Sequence, residues 1–394
     1  MHKLIFCGDF CLAAGSNGDR IYSSAIENSP LSSVLESFGD DAFIAANIEA
    51  AVTNRCTGRQ YKWANLRMDP SKQFLLKGLS LAILGNNHVG DFGEQGVLDT
   101  IKFLENMKVL HVGTGNTLEE AFECSVFNVS DVKIAVISLC CPSTNSEYIA
   151  THQSPGVAPL SVAILRRAIN KAKKLADLVI LYAHWGCEWV HDPSPDQVRM
   201  ARYAINLGAD AVVGCHSHTI QSFEKYKNKW IFYGLGNYIF DAGYAQVLQD
   251  DGSIKSIPLN LEMANRESLV VSFAPRIDSG KYMLELERIQ PYRFDENYTP
   301  FPIELSELSF DIRAANSRLA LAVKKYQAWL QSADEPEFIS RLLNGSAMAY
   351  WYRYPSFENL SSVSVGRKKF LPSLCKRVLR KIKNFSLRLN WLQQ

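Results

Sequence analysis

The sequence predicts an α/β (α+β) protein in which helices cover a parallel or mixed sheet. Short apolar runs of the length of buried strands alternate along the chain with amphipathic segments of helical period. A glycine or a polar residue ends most of the apolar runs, as Gly8-Asp9 does near the amino terminus. The chain has 394 residues, of which 47% are hydrophobic and 21% charged, so it is long enough to bury a large core.

The first third of the chain repeats a unit of strand, polar strand end and helix. Apolar runs predict strands at residues 3–8, 43–48, 81–84 and 109–112. Amphipathic segments predict helices at residues 29–38, from 70 onward and at 93–107. This alternation implies that the strands share a sheet that has helices on its faces.

The remainder of the chain adds antiparallel features to the same unit. A hairpin is predicted at residues 125–139, helices at 161–175, 195–207, 312–330 and 336–343, and strands at 177–183, 211–213 and 230–233. Residues 268–273 and 282–289 alternate like antiparallel strands. We expect these two strands to complete a second sheet.

Composition argues against several classes of protein. The net charge of +2 indicates no particular partner. The nine cysteines are odd in number and have no C-x-x-C spacing, which favours reduced thiols over disulfides. Asp9 interrupts the first apolar run too early for a signal peptide, and no run approaches the roughly 18 apolar residues of a membrane helix. These features predict a cytoplasmic protein.

The carboxyl-terminal segment differs in charge from the rest of the chain. Nine basic residues and no acidic ones lie between Arg367 and Arg388. Apolar residues recur there at spacings of three and four, which predicts a basic amphipathic helix. Its apolar face either packs on the chain's own domain or gives residues 367–394 a peripheral contact with the anionic inner face of a membrane. Both alternatives stay open at the level of sequence.

Polar residues at the ends of separate apolar strands form the main functional signal. They are Asp9, Glu49, Asn87, His88, Asp91, His184, His216 and His218. Because open α/β sheets bind ligands at their strand ends, we expect these residues to meet at one edge. Each taken singly also has a structural explanation, such as a turn, a helix cap or a core histidine. Together, their carboxylate, amide and imidazole groups suit one or two divalent ions of Mn, Zn or Fe.

The same residues lie in six motifs, in a fixed order, that resemble a known family. The motifs are GDF at 8–10, NIEAAVT at 47–53, NNHVGDFG at 86–93, HWGCEW at 184–189, GADAVVGCHSHTIQ at 208–221 and YGLGNYIFD at 233–241. They closely resemble the capsule-synthesis CapA family, which is associated with poly-γ-glutamate and is similar to the calcineurin-like metallophosphoesterases. The resemblance implies a four-layer αββα metallophosphoesterase-like sandwich over residues 1–295 and a helical C-terminal extension over residues 296–394.

The resemblance also implies roles for individual residues. Glu49 looks like a carboxylate that bridges two ions. Asn87, His184 and His216 would hold one ion, and Asp9 and His218 the other. His88 would be a catalytic proton donor oriented by Asp91, while Asn237 and Asp241 would support the loop, with Asn237 at the rim of the substrate site.

The chain departs from the pattern of the phosphoesterases at three places. Cys11 stands where they usually have a histidine ligand, and Glu49 stands where they have a bridging aspartate. Cys215 and Ser217 flank the first histidine of the family's glycine-x-His-Pro-His pattern. The first departure removes a ligand of the second ion unless Cys11 or water supplies one.

The leading functional hypothesis is a metal-dependent hydrolase or transferase in capsule or surface-polymer biosynthesis. Its partners would be the polymer-biosynthesis machinery or a phosphorylated or amide substrate of that machinery. The alternative is a non-catalytic assembly or export factor that keeps the fold and a weakened metal site. An intact His88–Asp91 pair favours catalysis, because an assembly factor needs no proton donor. The basic tail contains no known nucleic-acid-binding motif, which argues against nucleic-acid binding.

Overall fold

A computed structural model describes residues 3–12, 29–58, 62, 64–144, 148–241, 244–248, 254–258 and 261–331. The helix predicted at 336–343 and the basic helix predicted at 367–394 lie outside these residues. Within the described ranges, no helix has both the length and the apolar composition needed to cross a membrane.

The strands and helices are numbered in chain order. The strands are β1 (Leu4–Leu12), β2 (Phe43–Ile48), β3 (Ala51–Val52), β4 (Arg67–Met68), β5 (Leu81–Ile83), β6 (Leu110–Val112), β7 (Thr114–Gly115), β8 (Ser125–Val129), β9 (Val132–Cys140), β10 (Gly156–Val157), β11 (Leu178–His184), β12 (Ala211–Cys215), β13 (Phe223–Tyr226), β14 (Lys229–Phe232), β15 (Asn237–Asp241), β16 (Tyr244–Leu248), β17 (Ile254–Pro258), β18 (Glu267–Asp278), β19 (Lys281–Phe294) and β20 (Pro300–Pro302). The α-helices are α1 (Ser32–Phe38), α2 (Gly93–Asn106), α3 (Leu118–Ala121), α4 (Val162–Ala172), α5 (Pro195–Leu207) and α6 (Ile312–Gln331). Short 3₁₀ helices span Pro70–Leu76, Pro142–Thr144, Met263–Asn265 and Leu305–Glu307.

The first large sheet is mixed and contains β1 near its centre. Its strand order is β20-β19-β18-β1-β2-β5-β6, and β15 pairs with the second half of β1. The prediction that residues 268–273 and 282–289 complete a second sheet is wrong, because β18 and β19 belong to this first sheet. The reason is that β15 pairs with β1 only from Asp9 onward, so the edge of β1 at Leu4–Phe6 is free to pair with β18.

The second large sheet has the order β13-β14-β12-β11-β9-β8. Its central strands β9, β11, β12 and β14 are parallel, and antiparallel strands form both edges.

Helix α5 shows how the sequence sets the boundaries of these units. Ser194 caps its amino end in a capping box with Gln197, Pro195 is its first residue, and Gly208 ends it with a φ of 117°. The chain then enters β12, which leads into the two histidines.

The two sheets face each other across one core and carry helices on their outer faces. On β1, Leu4 and Phe6 pack in the core between the sheets, together with Ile180 of β11. The alternating residues Ile5 and Cys7 pack on the opposite face with residues of α1 and α2. Helices α4 and α5 contact β9 and β12 of the second sheet. The predicted four-layer αββα arrangement is therefore confirmed.

The chain forms two compact units, Met1–Leu321 and Ala322–Gln394. Both large sheets and helices α1 to α5 belong to the first unit, and the described part of the second unit is the end of α6. Within the first unit, Ile303, Leu308 and Ile312 pack in the core between the sheets. The boundary predicted at residue 295 stays a prediction.

Candidate metal centre

The candidate site lies where the carboxyl ends of several parallel strands meet. Asp9 belongs to β1, Glu49 follows β2 directly, and Asn87 lies in the loop after β5. From the second sheet, His184 is the last residue of β11 and His216 follows β12 directly. All five side chains are buried. The prediction that these residues converge at one edge agrees with the structure.

Gly8 allows β1 to approach the loop before β15 closely enough to position Asp9. A Cβ atom at residue 8 would lie 2.0 Å from the backbone oxygen of Gly236. Next to this contact, the Asp9 N–H donates to the same oxygen at 2.9 Å. The amino end of β15 is thereby fixed beside Asp9.

Two buried carboxylates, Asp9 and Glu49, are connected by one amide. The side-chain NH₂ of Asn47 donates to Asp9 Oδ1 at 2.8 Å and to Glu49 Oε2 at 3.3 Å. Asn86 in turn donates to Asn47 Oδ1 at 3.1 Å and to the backbone oxygen of Ile48 at 2.8 Å. These amide hydrogen bonds hold the two carboxylates close together, although two ionised carboxylates repel each other.

Three histidines face the two carboxylates. The ring centroids of His184 and His216 are 4.6 Å apart, and those of His216 and His218 are 5.9 Å apart. Ligand atoms of Glu49, His184 and His216 all lie within 4.8 Å of one another, as do those of Asp9, Glu49 and His218. Glu49 belongs to both groups, which is the position expected of a carboxylate shared by two ions.

The loop after β12 owes its shape to left-handed backbone conformations. His216 has a φ of 90° and His218 a φ of 53°, values that are uncommon for residues other than glycine. The His216 N–H donates to Asp9 Oδ2 at 3.2 Å, which secures the loop to the first sheet. Both imidazoles therefore turn back toward Asp9 and Glu49.

A hydrogen-bonded chain sets the orientation of the His218 ring. Asn237 donates from its NH₂ to the backbone oxygen of Asn265 at 2.8 Å, so its Oδ1 faces His218 Nδ1 at 3.0 Å. An amide oxygen only accepts, and Nδ1 must therefore carry the proton. This leaves the Nε2 lone pair of His218 on the side of Glu49, whose Oε1 lies 3.9 Å away. Metal-binding histidines commonly have their second ring nitrogen held in this way.

His184 lies between an amide and a thiol. Its Nε2 is 2.7 Å from Asn87 Oδ1 and 3.6 Å from Glu49 Oε1, while its Nδ1 is 3.1 Å from Cys215 Sγ. Burial, and then the Asp9 and Glu49 carboxylates, raise the pKa of the Cys215 thiol well above its usual range. Cys215 therefore acts as a neutral partner that fixes the ring of His184.

His88, Asp91 and Lys62 form a second cluster beside the histidines. His88 Nδ1 lies 2.7 Å from Asp91 Oδ2, and the Lys62 ammonium forms an ion pair with the other oxygen of Asp91. Lys62 also donates to the backbone oxygen of Asn87 at 2.7 Å. Burial alone would raise the pKa of Asp91, but Lys62 and His88 lower it below its usual value. The carboxylate therefore stays ionised and holds His88 by Nδ1.

Two buried polar atoms at the centre have no hydrogen-bond partner within the described residues. They are Glu49 Oε1 and His216 Nδ1. Buried polar atoms are rarely left unsatisfied, because each costs about 1–3 kcal/mol. A carboxylate oxygen and a neutral imidazole nitrogen both have lone pairs that a divalent cation accepts. These residues therefore fit a metal ion.

The pKa values of the centre also suit a cation, which would lower the raised values of the carboxylates and would bind the neutral imidazoles. Burial, and then repulsion from the carboxylates of Asp9 and Glu188, raise the pKa of Glu49 well above its usual value. Burial also raises the pKa of Asp9. Burial, and then the neighbouring histidines, lower the pKa values of His184 and His216 well below the usual value. The imidazoles are thus neutral at physiological pH, which is the form that binds metal.

We expect Glu49→Gln to stabilise the metal-free protein at pH 8 by roughly 1–3 kcal/mol of unfolding free energy. The folded-state pKa of Glu49 is raised, so its stabilising contribution is complete below the unfolded-state pKa and is lost as pH rises through the folded-state pKa. Glutamine is neutral at all pH values and avoids this loss. Urea unfolding in EDTA at pH 8 and pH 4 should show a gain at pH 8 that shrinks at pH 4. A variant less stable than wild type at pH 8 would contradict the assignment.

The other residues expected at the site have distinct locations. Asn237 is fully buried behind His218 and supports the loop rather than lining an entrance. Asp241 is buried at the end of β15, where it pairs with Leu12. Cys11 packs in the apolar cluster on the outer face of the first sheet and is in none of the groups of converging ligand atoms found in the described residues. The pairing of β1 with β15 shifts in register between Asp9 and Phe10, which breaks the alternation that would return residue 11 to the side of Asp9.

Three residues near the site were not predicted from the sequence. Lys62 lies in a loop without periodic pattern, and Asn47 lies within a strand that reads as apolar. Glu188 is exposed, and its carboxylate lies within 4.8 Å of ligand atoms of His216 and His218. A signal was present only for Asn47 and Glu188, because both lie within the NIEAAVT and HWGCEW motifs.

Comparison with known proteins agrees with the resemblance seen in the motifs. A family model described as bacterial capsule synthesis protein PGA_cap matches residues 3–242. Capsule biosynthesis protein CapA of Bacillus anthracis is 34% identical over 200 residues, which cover 47% of this chain and 48% of that protein. PGA biosynthesis protein CapA of Bacillus subtilis (strain 168) is 34% identical over 208 residues, which cover 52% of this chain and 54% of that protein. The chain thus spans about half the length of these relatives.

Solved structures with a similar course of the chain include two phosphoesterases. A phosphatase from Mycoplasma pneumoniae is 17% identical, with 76% of this chain and 97% of that chain covered and a TM-score of 0.45. The calcineurin-like phosphoesterase YfkN from Bacillus subtilis is 14% identical, with 73% and 90% covered and a TM-score of 0.40. The family model covers more than half of the chain and contains Asp9, Glu49 and both loop histidines. The chain belongs to the bacterial capsule synthesis protein PGA_cap family.

Proposed function

We propose that this chain is a metal-dependent hydrolase or transferase with a phosphoesterase-like site that acts in capsule or surface-polymer biosynthesis. The observation that carries this proposal is the convergence of buried carboxylates and neutral imidazoles around two polar atoms, Glu49 Oε1 and His216 Nδ1, that have no hydrogen-bond partner in the part of the chain that the structure describes. Such a group is costly for a protein to bury unless a cation binds there.

The residues divide into two ligand groups with Glu49 in common. Asn87, His184 and His216 would complete one group, and Asp9 and His218 the other. Divalent ions held in this way polarise a phosphoryl or carbonyl oxygen and lower the pKa of bound water. The ions are Mn, Zn or Fe on the basis of mixed oxygen and nitrogen ligands.

His88 would donate the proton to the leaving group. Its Nδ1 is occupied by Asp91, so Nε2 is the ring nitrogen available to a substrate. Asp91 restricts rotation of the His88 ring by holding its Nδ1. Lys62 in turn holds Asp91 through an ion pair and donates to the backbone oxygen of Asn87. General acid–base assistance of this kind contributes roughly 10²–10⁴-fold to a rate.

The relatives supply the biological setting of the proposal. Two of them are named for capsule or PGA biosynthesis, and another is named as a probable polyglutamine synthesis accessory protein. We propose the same setting for this chain, with the polymer-biosynthesis machinery as partner and a phosphorylated or amide-linked intermediate as substrate.

One observation favours a second candidate function, that of a non-catalytic assembly or export factor. Cys11 packs in the core, so β1 offers Asp9 without the neighbouring ligand that phosphoesterases have at this position. A site with fewer ligands binds its second ion more weakly, and a structural role requires no second ion.

The experiment that separates these functions combines metal analysis with a hydrolysis screen. Full-length protein loaded with Mn, Zn or Mg would be assayed on p-nitrophenyl phosphate, bis(p-nitrophenyl) phosphate and a γ-glutamyl anilide. We expect bound transition metal and metal-dependent turnover of one substrate class. Bound metal without turnover in any assay would favour the assembly factor, and absence of bound metal would contradict the metal centre itself.

A further inference from the structure

The loop between β11 and α5 folds back over the two histidines of the metal centre. Gly186 has a φ of 94° and Trp189 a φ of 65°. The Trp189 N–H donates to the backbone oxygen of Ser217 at 2.8 Å, and its ring centroid lies 5.4 Å from that of His218. A positive φ is uncommon and unfavourable in a residue as bulky as tryptophan. Strain of this kind persists where the surrounding structure holds the backbone in place, and it is concentrated at functional sites.

The consequence of this conformation is the position of Glu188. Its carboxylate oxygen and the ligand nitrogens of His216 and His218 all lie within 4.8 Å of one another. Glu188 is exposed, whereas both histidines are buried. The carboxylate therefore reaches the buried histidine pair from an exposed position.

One ligand group of the centre has few protein ligands. Asp9, Glu49 and His218 form one group of converging ligand atoms, and Cys11 packs in the core and contributes nothing to it. Three protein ligands are fewer than the four to six that transition-metal ions usually take. His218 belongs both to this group and to the group that contains Glu188.

We infer that Glu188 is a further ligand of the metal centre, joining His216 and His218 from an exposed position in place of the ligand missing at residue 11. The inference rests on the proposed metal-dependent function and deepens it. It gives the centre three carboxylates, one of which is exposed and therefore able to exchange with water or substrate.

A surface glutamate without a role would be expected to avoid this position. In the metal-free protein the carboxylates of Glu188 and Glu49 each lie within 4.8 Å of a ligand nitrogen of His216, so the two acidic groups repel each other when both are ionised. The strained backbone at Trp189 and the hydrogen bond to Ser217 nevertheless hold the loop against the histidines. A divalent cation held by these carboxylates and histidines would offset that repulsion.

Glu188→Gln tests the inference, since it keeps the size of the side chain but removes its charge and replaces one acceptor oxygen with an NH₂ donor. We expect calorimetric titration of EDTA-treated full-length protein with Mn²⁺ and Co²⁺ to show an affinity about 10-fold or more below that of wild type. The visible absorption of bound Co²⁺ should shift as well, because it reports the ligand set. Glu188→Asp retains a carboxylate and should recover part of the affinity. Glu94→Gln, an exposed glutamate on α2, is the matched control and should behave as wild type.

The outcomes separate this inference from the proposed function. If Glu188→Gln keeps both the affinity and the Co²⁺ spectrum of wild type while His216→Ala loses the ion, Glu188 is not a ligand and the proposed function still stands. If wild type binds neither ion, the metal-dependent function and the inference are both wrong.

Discussion

Replacement of His216 by alanine is expected to lower the affinity of the protein for divalent metal by about 100-fold or more, since loss of a direct ligand exceeds the 10–100-fold effect of its supporting partners. The His216 ligand atom lies within 4.8 Å of those of Glu49 and His184. Its Nδ1 is buried without a hydrogen-bond partner among the described residues. Alanine provides no lone pair there. Elemental analysis of protein purified without chelator, followed by titration with Mn²⁺ or Zn²⁺, would measure the loss.

The backbone at His216 makes one additional variant necessary. Its φ of 90° is unfavourable for alanine but not for glycine. His216→Gly therefore lacks the imidazole without adding strain, and both variants should lose metal alike. His152→Ala is the matched control, because the side chain of His152 is 75% exposed and pairs with Glu119. It should retain the metal content of wild type.

The stability of the metal-free variants distinguishes a lost ligand from a lost fold. Truncation of a buried side chain costs about 1–3 kcal/mol of unfolding free energy, which a domain of this size tolerates. Removal of an unsatisfied nitrogen offsets part of that cost. We therefore expect cooperative unfolding of the His216 variants in EDTA. Metal contents equal to wild type in folded His216→Ala and His216→Gly would show that His216 is not a ligand.

Local patterns were sufficient to predict elements with strong boundary signals. The predicted bounds of β2 and α5 agree with the structure, because Ile48 ends an apolar run and Pro195 and Gly208 enclose an amphipathic segment. The pairing of β18 with β1 could not be predicted in this way. It joins residues about 265 positions apart, and alternation shows only that a segment is a strand, without identifying its partner.

The candidate site was predictable to the extent that its residues follow strands. Glu49 follows the end of β2 and His184 ends β11, so the topology of a parallel sheet brings them together with Asp9, although β1 continues past Asp9 to Leu12. Features that depend on irregular backbone were missed. The change in register between β1 and β15 after Asp9 accompanies the packing of Cys11 in the core, and the left-handed Trp189 positions Glu188. Neither cysteine nor tryptophan is typical of an irregular backbone conformation, so residue type alone could not predict these features.

Replacement of His88 by asparagine is expected to reduce turnover by roughly 10²–10⁴-fold and to leave the metal content unchanged. His88 is absent from the groups of converging ligand atoms found among the described residues, while its neighbour Asn87 contacts His184. Asparagine removes the imidazole proton donor and retains a polar side chain. Turnover and bound metal would be measured on the same preparations, with His152→Asn as the matched control. Loss of metal from His88→Asn would show that His88 is a ligand instead.

The pH dependence of turnover tests whether His88 donates or accepts the proton. Burial, and then the Lys62 ammonium, lower the pKa of His88 below its usual value of 6.5. A proton donor must be protonated, so turnover of wild type should fall as pH rises through this lowered pKa. The residual turnover of His88→Asn should not change over the same range of pH. If wild-type turnover instead rises with pH there, and the variant lacks that rise, His88 accepts a proton through Nε2 while Asp91 retains the hydrogen on Nδ1.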